Sequence, residues 1–153
     1  MNSLLKKAWS EVVDPLIRRP KRVQVAALCY RVTGSGQKEV LLITSRDSGR
    51  WILPKGWPMD GKDALESAIE EAWEEAGVKP GNASTAPIGQ YEYTKHLDGG
   101  EPVPCLTDVF AVEVEELADT YPEQPERQRE WVSPSMAADR VDEPQLREIL
   151  KDF

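Results

Sequence analysis

Residues Gly56 to Val78 read G-W-P-M-D-G-K-D-A-L-E-S-A-I-E-E-A-W-E-E-A-G-V. Leu65, Ala68, Ile69, Ala72, Trp73 and Ala76 recur at the spacing of one helical face, which predicts an amphipathic helix docked through that stripe. Gly77 supplies the stop, because glycine enters the left-handed conformation without a Cβ clash. Glu70, Glu71, Glu74 and Glu75 set four carboxylates within six residues. At about 100° per residue, Glu71, Glu74 and Glu75 project together. Like charges at those spacings lower helix stability by a few tenths of a kcal/mol per pair. An arrangement that costs stability points to a task, and the natural one is holding hard divalent cations, which prefer carboxylate oxygens. The glutamates taken alone are equally read as a solvated acidic face.

The flanks favour the first reading. Trp51-Ile52-Leu53-Pro54-Lys55-Gly56 predicts a short strand running into a tight turn. Gly56 lets the backbone approach the helix closely, and Asp60-Gly61 marks a second turn. Strand, glycine-bearing loop and acidic helix together make a compact metal site.

The same stretch resembles the Nudix box, G-x5-E-x7-R-E-U-x-E-E-x-G-U with U aliphatic. Gly56, Glu71, Glu74, Glu75, Gly77 and Val78 fall in register, and Ala72 fills the first U position weakly. Two positions depart: Lys62 stands where the family has glutamate, and Glu70 where it has arginine. Both are charge reversals, and the expectation is a salt bridge kept with its ends exchanged. The resemblance implies that Glu71, Glu74 and Glu75 ligate Mg²⁺ or Mn²⁺, that one of them assists deprotonation of a water, and that the Gly56 carbonyl adds a ligand. It also implies an α/β/α sandwich around a mixed sheet, and a further carboxylate from the loop after the last long strand, where Glu116, Glu123 and Glu126 lie. For each of these three a plain surface acid is the better reading. The lead-in Trp51–Gly56 is similar to that of Nudix enzymes acting on dinucleoside polyphosphates and inositol pyrophosphates. Ala27–Arg31, Val40–Arg46 and Arg129–Val132 resemble the diphosphoinositol polyphosphate phosphohydrolase branch. The resemblance spans roughly residues 22 to 150.

Length and composition bound the rest. A chain of 153 residues fits one domain with a real core, and the expected division is an N-terminal helical extension with a basic hinge over 1–21 followed by the Nudix-like domain over 22–153. No apolar run approaches the roughly 20 residues of a membrane span, and Met1 to Arg19 is too charged for a secretory signal. Cys29 and Cys105 are expected as buried thiols in a reducing cytoplasm. With His96 the sole histidine, a histidine zinc site or a Ser-His triad is disfavoured. The net charge of −8 argues against general nucleic-acid binding. Most of the excess lies in 56–78, where seven carboxylates face the single Lys62 for a net −6. Divalent ions there would reverse the local field and admit an anionic substrate.

Residues 3–18 carry Leu5, Trp9, Val12, Val13, Leu16 and Ile17 at helical spacing, interrupted by Pro15. This extension is expected either to pack on the domain or to reach a second copy in a homodimer. Val23–Val32 and Glu39–Arg46 read as a hairpin across Gly34-Ser35-Gly36-Gln37. Pro80-Gly81-Asn82 reads as a break, Ile88–His96 and Pro104–Val114 as strands joined through Asp98-Gly99-Gly100, and Glu115–Arg129 as a polar loop. A short helix from Ser133 and a terminal one over Glu143–Phe153 complete the chain.

Substrate phosphates call for cations, and arginine offers a planar fork to phosphate oxygens. Arg46 and Arg50 flank the turn into the box, and the resemblance sets them, with Ser45, near inositol phosphates. Lys55 and Arg22 are further binding candidates, followed by Lys95, Arg127 and Arg129. Trp57, Tyr91 and Tyr93 could stack on a base, although strand aromatics more often belong to the core. The leading function is a divalent-metal-dependent pyrophosphohydrolase acting on a nucleoside or dinucleoside polyphosphate or a diphosphoinositol polyphosphate. The competing one is a catalytically silent Nudix domain that senses a nucleotide or protein, supported by Lys62 and Glu70.

Overall fold

The computed structural model describes residues 22–95 and 100–153. The expected helix over 3–18, the hinge up to residue 21, His96 and the Asp98-Gly99 part of the turn lie outside them. In chain order the first elements are β1 (Arg22–Val32), β2 (Lys38–Thr44), β3 (Trp51–Ile52), β4 (Lys55–Gly56) and α1 (Ala64–Ala76). They are followed by β5 (Val78–Ala83), β6 (Gly89–Lys95), β7 (Val103–Leu117), β8 (Arg129–Val132), α2 (Pro134–Arg140) and α3 (Pro144–Asp152).

A mixed sheet runs β3-β2-β1-β7-β5, with β4 added to β1, β6 to β7 and β8 to β2. Its centre is the parallel pair β1–β7, in register from Arg22 against Cys105 to Tyr30 against Glu113, while the other pairings are antiparallel. Strand alternation sorts the β1 side chains into two cores. Val25, Ala27 and Cys29 pack with Leu41 and Ile43 against Ala68, Ala72 and Ala76 of α1. Ala26 and Leu28 face the other way, with Val40 and Leu42, onto Ala137, Ala138, Leu146 and Leu150 of α2 and α3. The continuous apolar run of β1 is what a strand buried on both faces requires, and the result is the expected α/β/α sandwich.

Several boundaries move for tertiary reasons. Pro80-Gly81-Asn82 does not break the chain: β5 runs through it as an edge strand on β7, with register shifts around Pro80. Proline is tolerated at an edge or a bulge because no ladder bond needs its missing N–H there. Trp51–Gly56 is two strands rather than one, since β3 pairs with β2 and β4 with β1. The polar stretch Glu115–Arg129 contributes its first three residues to β7 and holds a 3-10 turn at Gln124–Glu126. Both cysteines are free and buried, as expected.

Candidate active site

The helix α1 begins at a complete capping box. The Glu66 backbone N–H donates to Asp63 Oδ1 at 2.7 Å, and the Asp63 N–H donates to Glu66 Oε1 at 3.1 Å, which satisfies two of the orphan donors at a helix start. Ser67 Oγ, buried, accepts from the Met59 N–H at 3.0 Å and fastens the preceding loop to the helix. At the far end Gly77 takes φ 68°, and its N–H reaches back to the Trp73 carbonyl at 2.9 Å. The apolar stripe is therefore fixed against the sheet at both ends, and the acidic stripe follows from it.

Glu71 meets the sheet at Gly56. Alternation in β4 turns Gly56 toward α1, opposite Val25, and Lys55 to the other face, opposite Ala26. A Cβ on Gly56 would lie 2.4 Å from Glu71 Cδ and Oε1, so the carboxylate occupies the space that any other residue would fill. Glu75 is buried, and its Oε1 accepts the Lys55 backbone N–H at 3.4 Å. Burial first, then a hydrogen bond shared with Glu71, push the Glu75 carboxyl up to about 9, against the opposing pull of Arg127. Burial, followed by the charges of Glu71, Glu70 and Glu123, also raises Glu74. Crowded, partly desolvated carboxylates that favour the protonated form are those a cation would relieve.

Among the described residues no three acidic, histidine or cysteine side chains are already drawn together around a metal position. The donor set nevertheless fits a hard divalent ion: every candidate ligand is an oxygen, three carboxylates rise from one helix face, and the glycine cradle holds Glu71 against the β4 backbone. Glu71, Glu74 and Glu75, with the Gly56 carbonyl, would hold it.

The exchanged salt bridge is not formed. No ion pair joins Lys62 to Glu70 among the described residues; Lys62 is exposed in the Met59–Lys62 turn, and the charge of Glu70 bears instead on Glu74, one helical turn on. A side chain at 62, before the N-cap, leaves into solvent while position 70 faces the crowded acids. What holds the far end of the acidic face is the segment after β7. Arg127 Nη2 lies 3.5 Å from Glu75 Oε1 and 2.9 Å from Glu123 Oε1. Arg129 Nη1 donates to the Ala76 carbonyl at 2.7 Å, and the Glu123 N–H donates to the Glu74 carbonyl at 2.9 Å. These bonds satisfy carbonyls at a helix end that has no basic residue in its own last turn. Arg127 and Arg129, which the sequence offers as further candidates for phosphate contact, are turned inward onto the helix. No spacing rule announces this, because the partners are some fifty residues apart along the chain.

The remaining cations are largely engaged. Arg46 pairs with Glu123 at 3.5 Å and Glu126 at 3.3 Å, while Arg50 Nη1 lies 2.6 Å from the buried Glu143 and 3.8 Å from Asp142. Ser45 Oγ is spent on Ser48 Oγ at 2.7 Å within the turn between them. Lys55 sets its ammonium over the Tyr93 ring and 3.2 Å from its hydroxyl, and that hydroxyl donates to Gln24. Burial, with Lys95 and Arg50 acting in the same sense, pulls Lys55 down to about 8 despite the charge of Glu75. Lys95 lies over Trp57. Arg22 opens β1 and is exposed, Tyr91 is core, and Glu116 pairs at the surface with Lys79.

Fold and site together define an α/β sandwich protein with an oxygen-donor acidic site on one helix. The chain belongs to the Nudix family: the model of the NUDIX domain matches residues 22–153. It is 33% identical over 120 residues to Nudix hydrolase 13, mitochondrial, of Arabidopsis thaliana, covering 75% of this chain and 59% of that protein. It is also 33% identical over 114 residues to diphosphoinositol polyphosphate phosphohydrolase 3-alpha of Mus musculus, covering 71% and 62%. The solved Ap4A hydrolase of C. elegans shares the fold with TM-score 0.62 at 19% identity, over 88% of this chain and 96% of that one. The chain spans about three fifths of the length of the curated relatives it matches.

Proposed function

We propose that this chain is a divalent-metal-dependent pyrophosphohydrolase that cleaves a phosphoanhydride in a nucleoside or dinucleoside polyphosphate or a diphosphoinositol polyphosphate. The observation that carries the reading is that Glu71, Glu74 and Glu75 share one face of α1, with Glu71 filling the space left by Gly56 and Glu75 bonded to the Lys55 N–H beside it. Bound Mg²⁺ or Mn²⁺ would neutralise the anhydride's charge and lower the pKa of a water. The chain's own share is to hold that oxygen cage rigid and to take up a proton at one of the glutamates. Glu75, buried beside the Arg127 guanidinium, is the glutamate we assign to that role. Phosphates away from the scissile bond would fall to Lys55, Arg22, Arg46, Arg50 and Ser45. Arg46 and Arg50 would exchange their carboxylate partners for phosphate. The two buried, unpaired thiols favour a reducing compartment such as the cytoplasm. Among the described residues no helix is long and apolar enough to cross a membrane.

A phosphate-release screen with Mg²⁺ or Mn²⁺ against dinucleoside polyphosphates, ADP-ribose, nucleoside triphosphates and inositol pyrophosphates tests the reading. Turnover on one class is expected, with Glu74→Gln and Glu75→Gln each reducing kcat by at least roughly a hundredfold. No turnover on any class, together with retained nucleotide binding, would establish the sensor reading supported by Glu70 in the place of arginine.

A further inference from the structure

We propose that Arg127, a residue outside the box, is the positioning residue for Glu75. The inference rests on the hydrolase reading above, but it concerns which side chain fixes the carboxylate, and it can be tested on the metal site alone.

Four observations carry it. The position where the resemblance expects an arginine beside the glutamates is Glu70, which brings no positive charge. Glu75 has one ion-pair partner among the described residues, and it is Arg127. Both side chains are almost fully buried, 8% and 4% exposed, so the pair is shielded from the screening that makes surface ion pairs weak. Arg127 is also held independently of Glu75. Its Nε donates to Glu123 Oε1 at 3.0 Å and its Nη1 to the Thr44 carbonyl at 3.0 Å, the end of β2. Glu123 is fixed in turn by its N–H on the Glu74 carbonyl and by Arg46. The guanidinium is therefore an anchored post between sheet and loop, and Glu75 leans on it. The planar guanidinium fork serves Glu75, Glu123 and the Thr44 carbonyl from separate, fixed nitrogens, whereas a lysine ammonium on a flexible stem offers one compact point charge. Partners that orient a metal ligand without touching the metal typically govern affinity or activity by about 10- to 100-fold.

The test uses the full chain with Mn²⁺ alone, titrated by calorimetry, and then kinetics on whichever anhydride the screen identifies. Arg127→Met is expected to weaken Mn²⁺ binding about tenfold or more. It should lower kcat by a similar factor with KM within about twofold of the wild type. Arg127→Lys should fall between the two. Combining Arg127→Met with Glu75→Gln should add little to Glu75→Gln alone, because the arginine acts through that carboxylate. Unchanged Mn²⁺ affinity in Arg127→Met, a defect confined to KM, or additive losses in the double variant would each overturn the proposal; the KM defect would make Arg127 a phosphate contact instead. If Arg127→Met does not fold, Arg127→Lys carries the test, and wild-type Mn²⁺ affinity and kcat in that variant would be equally decisive. Should the wild type hydrolyse nothing, the Mn²⁺ titrations still decide the role of Arg127.

Discussion

At the scale of single residues, two glycines separate chemistry from stability. Gly56 has no unusual backbone conformation; what it supplies is space, because an added Cβ would collide with the end of the Glu71 side chain. A flexible carboxylate can move aside, so Gly56→Ala should fold with little loss. It should still lose metal affinity and turnover by roughly tenfold or more, since a displaced ligand is a damaged site. Gly77 is the opposite case. Its φ of 68° disfavours any L side chain, and a Cβ would lie 2.5 Å from Tyr121 Cδ1 and 2.9 Å from Arg129 Nη1. Gly77→Ala should therefore cost about 1–2 kcal/mol from the left-handed conformation alone, and more from the contact. Urea unfolding of both variants, beside Mn²⁺ titration, checks the contrast. Equal destabilisation by the two substitutions would contradict it.

At the scale of elements, α1 carries the acids and is held by devices at its two ends. Its N-terminal device is local and legible: Asp63 and Glu66 form a capping box three residues apart. Asp63→Ala should cost about 1 kcal/mol and lower Tm by roughly 2–4 °C, with kcat and KM close to wild type, because Asp63 lies a full two turns from Glu71. A kcat loss beyond about threefold would mean that the helix start takes part in the chemistry. The C-terminal device is nonlocal. Tyr121, Glu123, Arg127 and Arg129 close over the helix end from a segment whose composition reads only as a polar loop. The charge pair that the box itself offers, Lys62 with Glu70, does not meet, while Arg127–Glu75 and Arg46–Glu123 cross between distant parts of the chain.

At the scale of the whole molecule, the acidic site is expected to tie stability to pH and, on the proposed function, to metal. The carboxyl of Glu75 is raised from its ordinary 4.5 to about 9, and Glu74 is raised as well. The folded state thus binds these protons more tightly than the unfolded one, and metal-free protein should lose stability as pH rises from about 5 to 8. Lys55, lowered to about 8, works in the other sense but only above that window, where the unfolded chain keeps a proton that the folded chain has released. Melting curves in a chelator across pH 5–8 should fall with pH for the wild type and clearly less for Glu75→Gln, the two differing by a few degrees at pH 8. Added Mn²⁺ should reverse the slope, because ionised carboxylates bind it. A wild-type Tm that rises with pH in chelator would show that Glu75 is ionised in the folded chain.

The sequence by itself determined the acidic helix, its cap and its stop, the buried strands, and the family. Each of these is written in short-range spacing, the 3.6-residue period of α1 and the uninterrupted apolar run of β1. It also placed Glu71, Glu74 and Glu75 on one face, since a helix fixes that geometry without reference to anything else. Only the tertiary structure decided which cation stands beside Glu75, that Arg46 and Arg50 are committed to carboxylates, and that Pro80-Gly81-Asn82 continues a strand. Long charged side chains reach whatever the fold brings within a few ångströms, and an edge strand forms wherever a neighbour offers free backbone groups. Neither partner is encoded by spacing along the chain, so both appear only once the sheet is assembled.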